Sequence, residues 1–524
     1  MLAGVIWGIR QRYGPPAVPL LTPDSWGYLH PALSWLGGAG FQQTEGRAWF
    51  YPAIVALTLK LGGDFSWLVR LQQCLGLAGA PLLWLGLRIW LSIFSSRTFL
   101  CHAIAVSLAA LTSSIYLLNT TQVRFELTIQ PEGVLAFFVL LYLVLALGYI
   151  RARWVSQQAS LATFTGAVSL LASYSVLLLK PSWGFALIPS LLLLFAGFFG
   201  TGPQLLRLVP AVAGIFMTGC LLVMPHLLGF RTDSAARTFL PFTLVSIHAA
   251  QIIQNAEKQH WITSEDSAPS DGEPRFYQEL RKSLKEARAV PLDCPTLGFA
   301  PDYIMYTKDF FRTFASEENL TDTELINLCY SAYFKTWIGS PDAMLLKIAK
   351  EMRLFISTPS RDFAAHSVSE SRMMDTLAHF SFSPKTLLAE AQTKDYLRNQ
   401  PAYLDYLANL QKVYQKGYEI DCVNWLRYVA NGLAEIASFV QLAFIAALFP
   451  VFWGRKFNNM RLPAIAAAMV STAVYGNALT VGIVHTLDLD RYRTSYLPAL
   501  LLTLATMMTF LFAVVERTFR RPSL

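Results

Sequence analysis

Along most of this chain apolar residues do not alternate with polar ones. They run in blocks of about 20 residues, long enough to cross the ~30 Å hydrocarbon core of a bilayer as helices. The blocks cover 65–94, 98–118, 131–150, 160–179, 183–200, 204–228, 431–453, 462–484 and 494–515. The pattern therefore predicts nine transmembrane helices, since a continuous apolar run can satisfy its backbone in lipid only by coiling on itself. The first block is longer than the bilayer requires, which implies strong tilt or a part outside the membrane.

Two stretches depart from this pattern. Residues 229–430 are polar and too long to be a simple connection. Within them, 321–357 and 386–417 carry apolar residues at helical spacing, for example Leu345, Leu346, Ile348 and Met352. The stretch 254–300, rich in charge, Ser and Pro, reads as an extended excursion. The insertion as a whole is expected to be a mostly helical domain on one membrane face. In the first 64 residues Trp26, Leu29, Leu33 and Leu36 recur at three- and four-residue steps up to Gly37-Gly38, and a second apolar run extends from Trp49 to Leu61. Two short amphipathic helices lying in the membrane interface fit this, with Trp26, Trp35 and Trp49 at headgroup level. Four regions follow: an N-terminal segment and first outer loop (1–64), a six-span block (65–228), the helical insertion (229–430) and a three-span C-terminal block (431–524). No fixed-period repeat is evident.

Composition agrees. Of 524 residues 54% are apolar and 15% charged, with a mean hydropathy of +0.40, values that exclude an ordinary soluble enzyme and fit an all-α polytopic membrane protein. Met1 to Ile9 is apolar but too short to span, and Arg10, Arg12, Pro15, Pro16 and Pro19 follow at once, so no cleavable signal peptide is read there. If the spans alternate, Arg88, Arg97, Arg151, Arg153, Arg207, Arg455, Lys456, Arg461, Arg517, Arg520 and Arg521 all fall on one side, which the positive-inside rule makes cytoplasmic. The net charge of +8 is thus a membrane-topology signal and not one for nucleic acid, because the insertion carries nearly equal numbers of basic and acidic residues. Residues 1–64, 119–130, 180–182, 229–430 and 485–493 are expected on the outer side.

Candidate chemistry collects on that outer side. Asp24, in Thr22-Pro23-Asp24-Ser25-Trp26-Gly27-Tyr28, is a carboxylate at a membrane surface; it reads either as a general base or as the N-cap of the helix that follows. Glu45 shares the loop and reads as hydrated or as the partner of Arg47. Arg124, Glu126 and Glu132 lie in and after the second outer loop, and Glu132, behind Pro131, suits a helix start. Lys180 ends a span ahead of Pro181, where it either snorkels or meets an anion. Arg491 and Arg493 precede the last span, with His485, Asp488 and Asp490 nearby; a histidine at a helix end is most simply structural. Arg231, Arg237 and His248 either extend the cationic rim or touch headgroups. The sequons at Asn119 and Asn319 read as chance matches. Cys74, Cys101 and Cys220 read as apolar packing residues, while Cys294, Cys329 and Cys422 leave room for one disulfide without specifying it. No CxxC or HExxH pattern exists, and no carboxylate cluster calls for a metal.

The order Asp24-Ser25 with Gly27-Tyr28, Gly46-Arg47 with Tyr51-Pro52, Pro131-Glu132, Lys180-Pro181, and Arg491-Tyr492-Arg493 ahead of Pro498 resembles the GT-C superfamily of integral-membrane glycosyltransferases. The similarity is to the branch with bacterial relatives of protein O-mannosyltransferases and the lipid A aminoarabinose transferase. It covers the first loop, the six-span block and the last span. The resemblance implies a GT-C-like helical bundle in a bacterial inner membrane with its active site facing outward. It implies a polyprenyl-phosphate sugar as donor, and a glycan, lipid or protein as acceptor. On the matching positions it makes Asp24 the general base, Lys180, Arg491 and Arg493 the donor-phosphate ligands, and Glu45, Arg47, Glu126, Glu132 and His485 acceptor or sugar contacts. No cofactor or metal is expected. The family carries a complete span ahead of the loop aspartate, whereas about 23 residues precede Asp24 here, so that helix lies upstream of Met1 or is missing. Two other classes remain on this reading: a transporter or flippase of lipid-linked precursors, which calls for ionisable groups in mid-span, and a non-catalytic envelope-assembly protein, which would tolerate loss of Asp24.

Overall fold

The computed structural model of the chain describes residues 2–42, 47–94, 98–186, 240–262, 272–291, 295–357, 365–369, 384–487 and 490–519, with a few single positions between 188 and 219. The chain is nearly all helical. Among the described residues seven helices are long and apolar enough to cross a membrane: Ser66–Leu91, Phe99–Leu117, Glu132–Val155, Ala159–Leu179, Asn424–Trp453, Arg455–Val484 and Thr494–Phe519. They correspond to seven of the nine apolar blocks and are compatible with a multi-pass integral membrane protein. The blocks 183–200 and 204–228 fall largely outside the described residues.

The chain divides into two compact units. One comprises Met1–Ala236, Pro359–Asn477 and Thr494–Leu524; the other comprises Arg237–Thr358 and Ala478–Arg493. The division passes through the polar insertion, whose part from Pro359 onward belongs with the first unit.

In the first unit the chain order is α1 (Leu2–Tyr13), α2 (Ser25–Leu36), α3 (Phe50–Gly62), α4 (Ser66–Leu91), α5 (Phe99–Leu117), α6 (Thr120–Glu126), α7 (Glu132–Ile150) and α8 (Ala159–Leu179). At 12 residues α1 is about 18 Å long, too short to cross. The two short helices expected in the first loop are α2 and α3. The most apolar span, which begins with α7, is 72% buried over its apolar window, the burial of a helix at the centre of a bundle. It packs against α4 and α8. Glycines let α4 come close: a Cβ at Gly79 would lie 2.4 Å from the Tyr116 hydroxyl, and one at Gly86 would touch Val144 and Leu502 at 3.2 and 3.3 Å. By contrast, the Asn424–Trp453 helix is only 22% buried over its window. Phe439, Leu442, Ile445, Phe449 and Trp453 stand exposed on it, a surface suited to lipid.

One end of this bundle gathers the connections that matter. The Leu20 N–H donates to the Leu127 carbonyl (2.6 Å) and the Ile129 N–H to the Leu20 carbonyl (3.1 Å), so the segment before α2 lies parallel to the segment before α7. Asn119 caps α6 through the Gln122 N–H (3.0 Å). Part of the insertion closes over α2. The Tyr396 hydroxyl hydrogen-bonds His30 Nδ1 (2.9 Å), Gln400 Nε2 donates to the Leu33 carbonyl (2.8 Å), and the Tyr406 hydroxyl donates to the Pro19 carbonyl (2.9 Å). The two short strands β1 (His366–Val368) and β2 (Tyr418–Ile420) pair antiparallel, and His366 Nε2 hydrogen-bonds the Thr121 hydroxyl (3.2 Å).

The second unit is helical: Leu240–Ile247, Ala249–Lys258, Glu273–Ala289, Phe310–Glu317, Asp322–Gly339 and Pro341–Ser357. An extended excursion is expected at 254–300, but the described part of that stretch is largely helical, with Ala249–Lys258 reaching into it and Glu273–Ala289 within it. Phe276, Tyr277, Leu280, Leu284 and Ala287 recur at three- and four-residue steps, and all five enter the unit's core with Phe310, Phe311 and Phe314. The many charges between them sit on the other face of an amphipathic helix. Thr321 and Glu324 form a reciprocal capping box at the start of the Asp322–Gly339 helix. Cys329 and Cys422 are free thiols, and Cys294 lies outside the described residues.

Candidate functional site

Asp24 stands immediately before α2, but its carboxylate makes no capping hydrogen bond. It is ion-paired instead with Arg47, which lies ahead of α3. The guanidinium also donates to the Tyr28 hydroxyl (3.1 Å) and lies 4.9 Å from the centre of the Tyr28 ring. The Asp24 and Arg47 side chains keep 26% and 29% of their surface exposed, so the pair is held in place and still open to an incoming group. The loop is fixed from below: Gln130 Nε2 donates to the Thr22 hydroxyl (2.7 Å), and the Thr22 N–H donates to Ser25 Oγ (2.8 Å). Glu45, the other carboxylate of this loop, lies outside the described residues.

Glu132 opens α7 and Lys180 follows α8, and the two side chains form an ion pair that is almost wholly buried. Lys180 at the end of α8 thus has the Glu132 carboxylate as its counter-ion. Tyr51 connects this pair to the Asp24 loop. Its ring meets the Tyr28 ring edge-on at 5.3 Å, and its hydroxyl donates to Gln72 Oε1 (2.7 Å). Burial, then the neighbouring Tyr28 and Glu132, push the Tyr51 phenol well above its ordinary range, so it stays a neutral donor.

Glu126 is not on an outer rim. It is fully buried against Arg12 of α1, with Nε 2.7 Å from Oε2 and an Nη2–Oε1 bond of 2.9 Å. The Arg12 guanidinium also donates to the Leu117 carbonyl (2.7 Å), and Gln122 Nε2 donates to Glu126 Oε1 (3.3 Å). Burial raises the Glu126 carboxyl, while the Arg12 charge pulls it back down. Gln72 of α4 donates to the Glu126 and Thr128 carbonyls (2.8 and 3.0 Å). These bonds join α1, α4, α6 and the turn before α7. Arg12 carries no sequence signal for this role; it is one of two arginines that end a short apolar run.

In the second unit, the His485 ring lies 4.7 Å from Tyr492, and the Arg491 guanidinium lies 5.0 Å from the same ring and 3.4 Å from its hydroxyl. The backbone of Arg493 is helical; its side chain is outside the described atoms. Two residues without an expected role hold this turn. Lys347 Nζ donates to the Gly482 and His485 carbonyls (2.6 and 2.7 Å), and Glu351 accepts from the Leu487 N–H (2.8 Å) and the Thr486 hydroxyl (3.3 Å). Both are buried. His248 is also buried, its Nδ1 2.9 Å from the Leu244 carbonyl; burial and the Lys347 charge push its ring down to about 3, so it is neutral.

Among the described residues no group of three or more His, Cys, Asp and Glu side chains is placed to hold a metal ion. Of the predicted site residues, then, Asp24 meets Arg47 and Glu132 meets Lys180 at one end of the first unit, Glu126 lies in the core, and His485 and Arg491 share a tyrosine in the second unit. The chain matches no family model, and no match to it was found among curated proteins or among solved structures.

Proposed function

We propose that this chain is a GT-C-type membrane glycosyltransferase that moves a sugar from a polyprenyl-phosphate donor to an acceptor hydroxyl or amine. The observation that carries the reading is the Asp24–Arg47 pair: a part-exposed carboxylate, oriented by a guanidinium, at the bundle end where Glu132 and Lys180 also meet. In this reading that end faces away from the cytoplasm. Asp24 takes the proton of the acceptor as the acceptor atom bonds to the anomeric carbon. The bond from that carbon to the phosphate oxygen breaks, and polyprenyl phosphate leaves with the electron pair. Arg47 fixes the orientation of the carboxylate through their ion pair. Lys180, with Glu132 as its resting counter-ion, neutralises the leaving phosphate. The sparsely buried Asn424–Trp453 helix offers aromatic and aliphatic surface to lipid chains.

The test is turnover. Purified protein in lipid nanodiscs is given a panel of polyprenyl-phosphate sugars with an envelope extract as acceptor source. Release of free polyprenyl phosphate that requires the extract supports the reading. Absence of release with every donor, together with movement of the lipid across the bilayer, would replace it with transport.

A further inference from the structure

The Pro341–Ser357 helix has two faces. One buries Met344, Lys347, Ile348, Glu351 and Phe355. The opposite face leaves Leu345 and Leu346 more than half exposed (58% and 57%), with Lys350 and Arg353 exposed beyond them. Across the short Gly339-Ser340-Pro341 junction, Phe334 and Ile338, one helical turn apart, are 56% and 84% exposed. Large apolar side chains exposed on both sides of one short junction are costly unless something covers them.

The buried face says where this helix stands. Lys347 and Glu351 grip residues 482–487, the end of the apolar Arg455–Val484 helix. A Cβ at Gly482 would lie 3.3 Å from Glu351 Cβ, so the two backbones are close. The regular part of that span, Arg461–Val484, has 24 residues and is about 36 Å long. That exceeds the ~30 Å hydrocarbon core and falls short of the ~40–45 Å that includes the headgroups. Its end therefore lies in the headgroup zone, and the helix clamped to it lies at the same depth.

We infer that Leu345, Leu346, Ile338 and Phe334 form a membrane-anchoring face that dips into the headgroup–acyl boundary of the bilayer crossed by the Arg455–Val484 helix. Apolar residues backed by exposed Lys350 and Arg353 are the composition that an interfacial helix presents to a surface with anionic lipid. The proposal rests on that helix crossing the bilayer and is independent of the sugar-transfer reading.

An environment-sensitive fluorophore placed by cysteine substitution tests it, in nanodiscs and on a background freed of reactive native cysteines. Labelled sites are Leu345→Cys, Leu346→Cys and Ile338→Cys, with the exposed Asp322→Cys as a water reference and the exposed mid-span Thr472→Cys as a lipid reference. Lipids carry a nitroxide either near the headgroup or near the acyl terminus. The expected result is several-fold stronger quenching at 345, 346 and 338 than at 322, most from the shallow nitroxide, with 472 quenched most from the deep one. Equal weak quenching at 345, 346 and 322, while 472 is quenched, overturns the anchor. Labels at 345 and 346 shielded from both lipid nitroxide and aqueous iodide also overturn it, in favour of a protein partner. Absence of quenching at 472 overturns its premise and the anchor together.

Discussion

Arg12 and Glu126 lie 114 positions apart in the chain and meet as a wholly buried ion pair. Removing both charges from water costs several kcal/mol, and the pair is tolerable because the guanidinium and carboxylate face each other through two contacts and have further partners in Leu117 and Gln122. Cutting one partner strands the other. Arg12→Met is expected to lower stability by about 3–5 kcal/mol. The double variant Arg12→Met/Glu126→Met should recover a large part of that loss. Thermal unfolding in detergent measures both, and a double variant no better than the single one would show that the pair is not the source of the loss.

Gly76 makes room for this pair. A Cβ there would lie 2.0 Å from Glu126 Oε1. Gly76→Ala is expected to destabilise by about 1–3 kcal/mol through overpacking, against a gain of at most about 1 kcal/mol from helix propensity. Gly148→Ala is the control, because a Cβ there meets only the Thr165 side chain, at an ordinary 3.6 Å (Cγ2) and 3.9 Å (Cβ). Its melting temperature should be unchanged or raised.

The Lys347 clamp gives a local prediction. Lys347→Met leaves the Gly482 and His485 carbonyls without their buried donor, a loss of about 2 kcal/mol. Hydrogen exchange should rise at the Leu487 amide, which Glu351 holds in the intact protein, and not in the α4–α7 core. Unchanged exchange at Leu487 would mean that the turn is held by other contacts.

His248 makes the second unit sensitive to acid. Its ring titrates near 6.5 when unfolded and near 3 when folded, because burial and Lys347 oppose the proton. Between those values the unfolded chain binds a proton that the folded one refuses. Its contribution to stability is thus fully present above about pH 6.5 and is lost as pH falls, at up to about 1.4 kcal/mol per unit. His248→Leu should show a shallower fall in melting temperature between pH 7 and 5 than the native chain. Parallel curves would contradict the assignment.

The sequence shows the spans because a bilayer demands long apolar runs; it shows α2 because Trp26, Leu29, Leu33 and Leu36 keep helical spacing, and α3 as the apolar run from Trp49 to Leu61. It also singles out Asp24, Arg47, Glu132 and Lys180 one by one. It does not show who pairs with whom, since Arg47 has two carboxylates within reach in the sequence and Lys180 is 48 positions from its partner. Arg12, Lys347 and Glu351 escape for another reason. A charged residue in an amphipathic stretch is normally solvated, and a Lys and a Glu four apart on a helix look like an exposed pair. Helix 341–357 has apolar residues on both faces, so Leu345 and Leu346 could as readily have been core as Met344 and Ile348. Contacts from residues 482–487 decide it, and those lie more than 130 positions away.

The proposed reaction turns on Asp24 taking the acceptor proton. Its most direct test compares native protein with Asp24→Asn, matched for melting temperature, in release of polyprenyl phosphate from a donor that the native protein turns over. The Asn side chain keeps the shape and can still accept from Arg47, but it cannot hold a proton from the acceptor. The account predicts a fall of about 10²–10⁴-fold in turnover at unchanged donor binding. Turnover in Asp24→Asn within a few-fold of the native rate would contradict it.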